Sequence, residues 1–224
     1  MKIFKYLNVN GIFYILKNQK KILTTNNFYF LVKTENLAKL IIDELNKFKN
    51  INNTKTPISY LAFFSCNISK KDKKKIIEEI IENLYFDNLL YRSSDKNKIN
   101  QLMKRNFDSF VDIFNTRFSL SLEIKNTFFS YQTSQNLNKF SKFLDDLCNY
   151  EITLIYKLHK ISKSVILSYF YFKKKINFKT FINLIFLESD FQKKKWGSIP
   201  EQEIIDKDLK INIKIYSIFF NNLY

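Results

Sequence analysis

Apolar residues recur along this chain with two different periods, and the change of period divides it. Over the first third the pattern is short and alternating. Ile3 to Leu7, Ile12 to Leu16 and Phe28 to Val32 are β-rich runs, and Asn10-Gly11 stands between the first two. Asn-Gly supplies the positive backbone angles of a tight hairpin turn, so a small antiparallel sheet is predicted. Thr34 then offers a side-chain oxygen to a helix N-terminus, Glu35 suits the first turn, and Leu37, Leu40, Ile41, Leu45 and Phe48 fall on one face. That face is expected to lie on the sheet. A polar, Asn-rich stretch from Lys49 to Thr56 ends at Pro57.

The remaining two thirds carries the helical period. Ile76, Ile77, Ile80, Ile81 and Leu84 mark one amphipathic helix, and Leu137, Phe140, Leu144 and Leu147 mark another. Leu154, Leu158, Ile161, Val165 and Tyr169 continue the pattern, and Asn177 is placed to cap a helix bearing Phe178, Phe181, Ile182 and Ile185. Phe118 to Ile124 alternates and reads as a strand or an extended connection. The tail, Asp208 to Tyr224, fits either period, with helix preferred. The fold class is therefore α+β, with an N-terminal domain over residues 1–68 built from a small antiparallel sheet and a helix. An all-helical bundle domain follows over residues 69–224.

Composition narrows the function classes. No apolar run approaches the ~20 residues of a bilayer span, since Val165 to Phe172 is stopped by Lys173, Lys174 and Lys175. Two glycines, Gly11 and Gly197, cannot build a dinucleotide or P-loop phosphate cradle. One histidine and two distant cysteines, Cys66 and Cys148, supply neither a zinc set nor a disulfide scaffold, so no metal, no cofactor and a reducing compartment are expected. His159 with Ser162 is the one hydrolase arrangement on offer, but a lone histidine on an amphipathic helix is ordinarily a packing residue.

The net charge is +16, from 37 Lys+Arg against 21 Asp+Glu. Lys, Asn, Ile, Phe and Tyr abound while Gly, Pro, Ala and Arg are scarce, which matches an AT-rich coding sequence and weakens the link from charge to nucleic acid. The runs Lys70 to Lys75, Lys173 to Lys175 and Lys193 to Lys195 fit phosphate tracking or solvated helix ends alike. Only three arginines are present for base edges, so a basic RNA- or ribosome-associated protein is the alternative function and no nucleic acid is the first expectation. The N-terminus, MKIFKYLNVNGIFYIL, has no compact apolar core, small-residue cleavage site or Arg- and Ser-rich leader. A bacterial cytoplasm is expected, with the mitochondrial matrix as the alternative.

The segment LIFLESDFQKKKWGSIP, residues 184–200, stands apart from this background. The single Trp adjoins one of the two glycines as Trp196-Gly197, with Pro200 following, an arrangement that stops a helix: Gly adopts the left-handed conformation and Pro prevents resumption. Glu188 lies four residues after Leu184 and three before Phe191, hence along a largely apolar helical face with Gln192 one turn on. A carboxylate there needs a donor, either an internal Lys or backbone amide, or a group on another protein.

This segment resembles the Glu-x-Glu-Phe-Gln then Trp-Gly signature of the assembly chaperone family that binds the alpha subunit of the F(1) sector of ATP synthase, with Asp190 at the second Glu. Lys163-Ser164 before Val165-Ile166-Leu167 is similar to the family's Lys-Ser-Leu helix. Phe86-Asp87 to Leu90-Tyr91-Arg92 resembles its Thr-Asp-x-x-x-Tyr-Arg stretch. Pro57-Ile58-Ser59-Tyr60-Leu61-Ala62 resembles Met-Pro-x-Thr-x-Leu-Ala, and Leu31-Val32 to Leu37-Ala38 the strand-to-helix passage before it. Leu45 and Phe107 stand where the family tends to carry Trp. The resemblance implies an N-terminal α+β domain followed by a helical orthogonal bundle. It implies no catalysis, and a partner in the unassembled alpha subunit, shielded until it pairs with beta. Glu188, Asp190, Phe191 and Gln192 become the partner-binding positions. Trp196 and Gly197 are assigned to helix termination and packing, and Lys163, Ser164, Asp87 and Arg92 to structural motifs. The free chain is expected to be a monomer.

Overall fold

The computed structural model describes residues 3–92, 98–126, 132 and 136–224. The chain opens with β1 (Phe4–Val9) and β2 (Ile12–Lys17), paired antiparallel with Val9 opposite Ile12. Asn10 and Gly11 both take positive φ, 52° and 80°, as the primed hairpin turn requires. β2 is the shared strand of the sheet: it also pairs with β3 (Lys20–Lys21) and with β4 (Leu31–Val32). Thr34 caps α1 (Glu35–Phe48), accepting from the Leu37 amide. Leu37, Ala38, Ile41 and Leu45 are buried on the face that packs against β1, β2 and β4. The predicted sheet-and-helix layer is thus present. α2 (Pro57–Asn67) has no side-chain cap of its own, and Glu44 of α1 substitutes: its carboxylate accepts the amides of Ile58 at 3.1 Å and Ser59 at 2.8 Å.

All the later elements are helical: α3 (Lys70–Leu84), a 3-10 turn (Asn88–Leu90), α4 (Lys98–Phe118), α5 (Asn138–Asp146), α6 (Asn149–Ser162), α7 (Val165–Phe172), α8 (Phe178–Ile185), α9 (Leu187–Trp196) and α10 (Pro200–Asn221). The ambiguous tail is helix. Residues 120–124 form an extended connection without a strand, and Lys125 bridges to Tyr91.

Two compact units result, and each is assembled from separated stretches of sequence. One comprises residues 1–74, 147–154 and 214–224; the other comprises 75–146 and 155–213. The interior of the first is Ile15, Phe30, Val32, Ile41, Leu45 and Phe219. The second is built on Phe107, Phe114, Phe118, Phe140, Phe181 and the fully buried α7. Phe114, Phe118, Phe140 and Tyr169 pack mostly edge-to-face at centroid distances of 4.8–5.4 Å, the geometry aromatic quadrupoles favour. Leu45 and Phe107 both lie in these cores.

Candidate functional site

Two polar clusters interrupt the apolar pattern, and their chemistry differs. The first gathers the buried side chains of Asp87, Arg92 and Ser164 and the backbone of Lys163, whose own side chain is exposed, into one junction. Asp87 is fully buried, and its two carboxylate oxygens accept the amides of Leu89 and Ile166, each at 2.9 Å, so one side chain caps both the 3-10 turn and the start of α7. Burial pushes the Asp87 carboxyl up to about 6, against the pull of those amide donors. Lys163 takes a left-handed φ of 54°, which ends α6 and turns its carbonyl to accept the Asn88 amide at 3.0 Å. Ser164 caps α7, accepting from the Leu167 amide at 3.0 Å. Arg92 donates to the carbonyls of Leu89 and Tyr91 and to Asp108, at 2.7, 3.0 and 2.7 Å, with its guanidinium over the Phe107 ring. The side chains of Asp87, Arg92 and Ser164 and the carbonyl of Lys163 are engaged internally, so the junction is a fastening.

His159 is buried as well. Burial holds its imidazole down to about 4 and therefore neutral; Nδ1 lies 3.3 Å from the Ile155 carbonyl, and Nε2 has no partner among the described residues. The Ser162 hydroxyl bonds instead to the Ser164 carbonyl and the Ser168 hydroxyl. The base and nucleophile that hydrolysis requires are not joined.

The second cluster is the hairpin of α9 and α10. Asn177 caps α8, and the helix breaks at Phe186, where backbone angles of −91° and 4° reset the register before α9 begins. No residue of α9 is buried. The break corrects the expectation for Glu188. The apolar face of α8 does not continue through it, and Glu188 is exposed, accepting only the Gln192 amide at 3.3 Å. Gly197 terminates α9 with φ 88° and ψ 176°, its amide donating to the Lys193 carbonyl. That combination is open essentially to glycine alone and is not the left-handed one expected. Pro200 begins α10 instead of blocking a helix, which suits a residue with no amide to satisfy.

Asp206 of α10, absent from the sequence expectations, clasps the hairpin. It forms an ion pair with Lys193 and accepts from Ser189 at 3.2 Å and Gln202 at 2.7 Å. Burial works to raise this carboxyl, and the Lys193 ammonium and Gln202 amide outweigh it and hold it below the usual carboxylate range. With α9 so fixed, its outer side presents a ridge. Glu188, Gln192 and Trp196, spaced four apart, separate two grooves and line both. One, of about 730 Å³, lies between α9 and the start of α4 and adds Lys98, Ile99, Phe191 and Lys194. The other, of about 490 Å³, adds Ile185, Ser189 and Ile199. Asp190 is exposed and lines neither. Trp196, expected to pack, is 69% exposed, and Ile199, Ile204 and Ile205 beyond it are 63%, 63% and 52% exposed. Exposed isoleucines grouped this way are the signal that could have marked the surface, had the tail been read as helix from Pro200.

The described residues thus hold a polar junction engaged internally and, on α9, a ridge left open to solvent. The family described as ATP12 chaperone protein matches residues 2–115, half of the chain, and the chain belongs to that family. Its role is that of a chaperone and not an enzyme. The fold agrees along the whole length. Atp12 from Paracoccus denitrificans superposes with a TM-score of 0.82 at 17% identity over 99% of this chain and 96% of that one. A point mutant of the same organism's Atp12p gives 0.83 at 18%, over 99% and 95%. A candidate chaperone from Agrobacterium tumefaciens gives 0.82 at 17%, over 100% and 85%. No curated protein matches in sequence. Among the described residues no helix is long and apolar enough to cross a membrane.

Proposed function

We propose that the chain serves ATP synthase assembly by binding the unassembled alpha subunit of the F(1) sector and covering its beta-facing surface until beta arrives. Family membership supports the assembly role, and the α9 hairpin supports the mode of binding. The observation that carries the reading is that α9 has no buried residue, yet is fixed by Asp206 and holds Trp196 in the open, with Ile199 after it and Ile204 and Ile205 of α10 exposed as well. An isolated subunit of a ring exposes an obligate interface rich in apolar surface, and a partner that binds only the exposed form suppresses its aggregation by mass action. Release follows when the tighter beta contact replaces the chaperone. Glu188, Phe191 and Gln192 are the central contacts and Asp190 a peripheral one; the working compartment is the bacterial cytoplasm, or the mitochondrial matrix.

Capture of separately purified alpha subunit by the tagged chain, at about 0.3 M salt where phosphate contacts are much weakened, tests this. We expect retention of alpha, its loss on adding beta, and capture about tenfold weaker for Phe191→Ala with unchanged thermal unfolding, the scale of a central interface residue. Retention of RNA in place of alpha would transfer the protein to the nucleic-acid class.

A further inference from the structure

The larger groove has a charge pattern of its own. Lys193, Lys194 and Lys195 are consecutive, but the structure uses them differently. Lys193 is neutralised by Asp206, whereas Lys194 and Lys195 line the groove, and Lys195 lies 4.7 Å from the centre of the Trp196 ring. Lys98 faces them from the first turn of α4, where the positive end of the helix adds to its charge. Among the described residues neither Lys98 nor Lys194 has an ion pair. Beside these cations the lining is apolar at Ile99, Phe191 and Trp196 and polar at Gln101, Glu188 and Gln192. Glu188 on its ridge opposes a continuous phosphate backbone, so a polypeptide fits better than a nucleic acid.

Resting on the reading above, we propose that this groove receives an acidic amphipathic segment of the client. Its apolar side chains lie on Ile99, Phe191 and Trp196, and its carboxylates meet Lys98 and Lys194. Charge complementarity of this kind selects the partner and its register as much as it adds affinity.

Trp196 is the single tryptophan of the chain and stands in the groove wall, so its emission reports occupancy directly. The full chain is titrated at about 0.15 M salt, where charges beyond ~8 Å are screened, with two Trp-free amphipathic peptides. Both have the same leucine positions; one carries Glu and the other Lys at the polar positions. We expect a saturable blue shift with the Glu peptide, at least tenfold tighter than with the Lys peptide. The double variant Lys98→Glu, Lys194→Glu inverts that preference. The control pair Lys70→Glu, Lys71→Glu, at exposed positions of α3, changes the net charge equally and leaves the preference intact. Equal affinity for the two peptides, a preference for the Lys peptide, the same response in the control pair, or a stronger response to a uridine oligonucleotide overturns the proposal, and the comparison on the unmodified chain decides even where a variant fails to fold. Capture of alpha that is unchanged in a folded Lys98→Glu, Lys194→Glu variant sinks the groove assignment alone. A strong Glu-peptide preference without any capture of alpha sinks the client assignment alone.

Discussion

Asp87 and Glu188 are both carboxylates next to apolar residues in the sequence, and the molecule uses them in opposite ways. Asp87 is withdrawn from water, and each of its oxygens accepts a backbone amide that no other group would satisfy. Glu188 stays in water and, among the described residues, meets only a neighbouring amide on its own helix. A polar residue in an apolar run is therefore not a site until its hydrogen bonds are accounted for. Where they are all internal the residue holds the fold, and where they are not it is available to a partner.

The sharpest way to break this contrast is to remove both groups and compare. Asp87→Ala leaves the amides of Leu89 and Ile166 buried without an acceptor and leaves Ser164 as the one side-chain cap at the start of α7 among the described residues. The expected loss is about 3–5 kcal/mol, the range for breaking a buried polar network. For a chain of this size that lowers the unfolding temperature by roughly 10 °C. Asp87→Asn is expected to fail similarly, because its NH2 group would face an amide donor. Glu188→Lys should stay within about 0.5 kcal/mol of the unmodified protein. Equal losses in a thermal melt would show that the two carboxylates play the same part.

Asp87 and His159 set up a second comparison, in pH. His159 has its folded pKa lowered to about 4 from an ordinary 6.5, so its stabilising effect is complete above 6.5 and is lost as pH falls towards 4. Asp87 has its folded pKa raised to about 6 from 3.8, so the folded state binds the extra proton and this group gains stability over much of the same interval as pH falls. The two slopes oppose. His159→Leu is expected to remove a loss on the order of 3 kcal/mol between pH 6.5 and 4 and leave the opposite slope of Asp87 visible. Urea unfolding midpoints at those two pH values measure it. A variant whose stability still falls with acid as steeply as the unmodified chain would place the titrating group elsewhere.

Which features were legible in the sequence follows from how far away their causes lie. The Asn10-Gly11 turn and the Thr34 and Asn177 caps are set within a few residues, and each is present as read. The predicted face of α1 buries Leu37, Ile41 and Leu45, while Phe48 at its end is exposed. The breaks at Lys163 and Phe186 were hidden, since neither has a Gly or Pro beside it and the apolar periodicity runs through both. Their causes are distant or conformational: Lys163 presents its carbonyl to Asn88, seventy-five positions earlier, and Phe186 shifts register by backbone angle alone. The pattern therefore places Glu188 on an apolar face that it does not occupy in the fold. The resemblance singles out the α9 segment by residue identity, but not Asp206, whose role depends on a helix-to-helix contact that no local pattern encodes.

Asp206 supplies the smallest and most informative test, because it is the one carboxylate of the hairpin that behaves as Asp87 does. It is buried, and it joins Lys193 and Ser189 across the turn at Gly197 while accepting from Gln202 on its own helix. Its partner Lys193 is a quarter exposed, so the pair is partly screened, and Asp206→Ala is expected to cost about 1–2 kcal/mol globally. The local consequence should be larger than the global one. With no buried residue of its own, α9 depends on this clasp and on its contacts with α4 and α8 to keep its ridge in place. Hydrogen exchange of the α9 amides should accelerate well beyond the change in α7, and client affinity should fall although Asp206 lines neither groove, because an unfixed α9 must be ordered again at each binding event. If α9 exchanges no faster in the variant, the ridge is held by apolar packing alone, and the hairpin loses the one internal fastening that makes it comparable to the junction at Asp87.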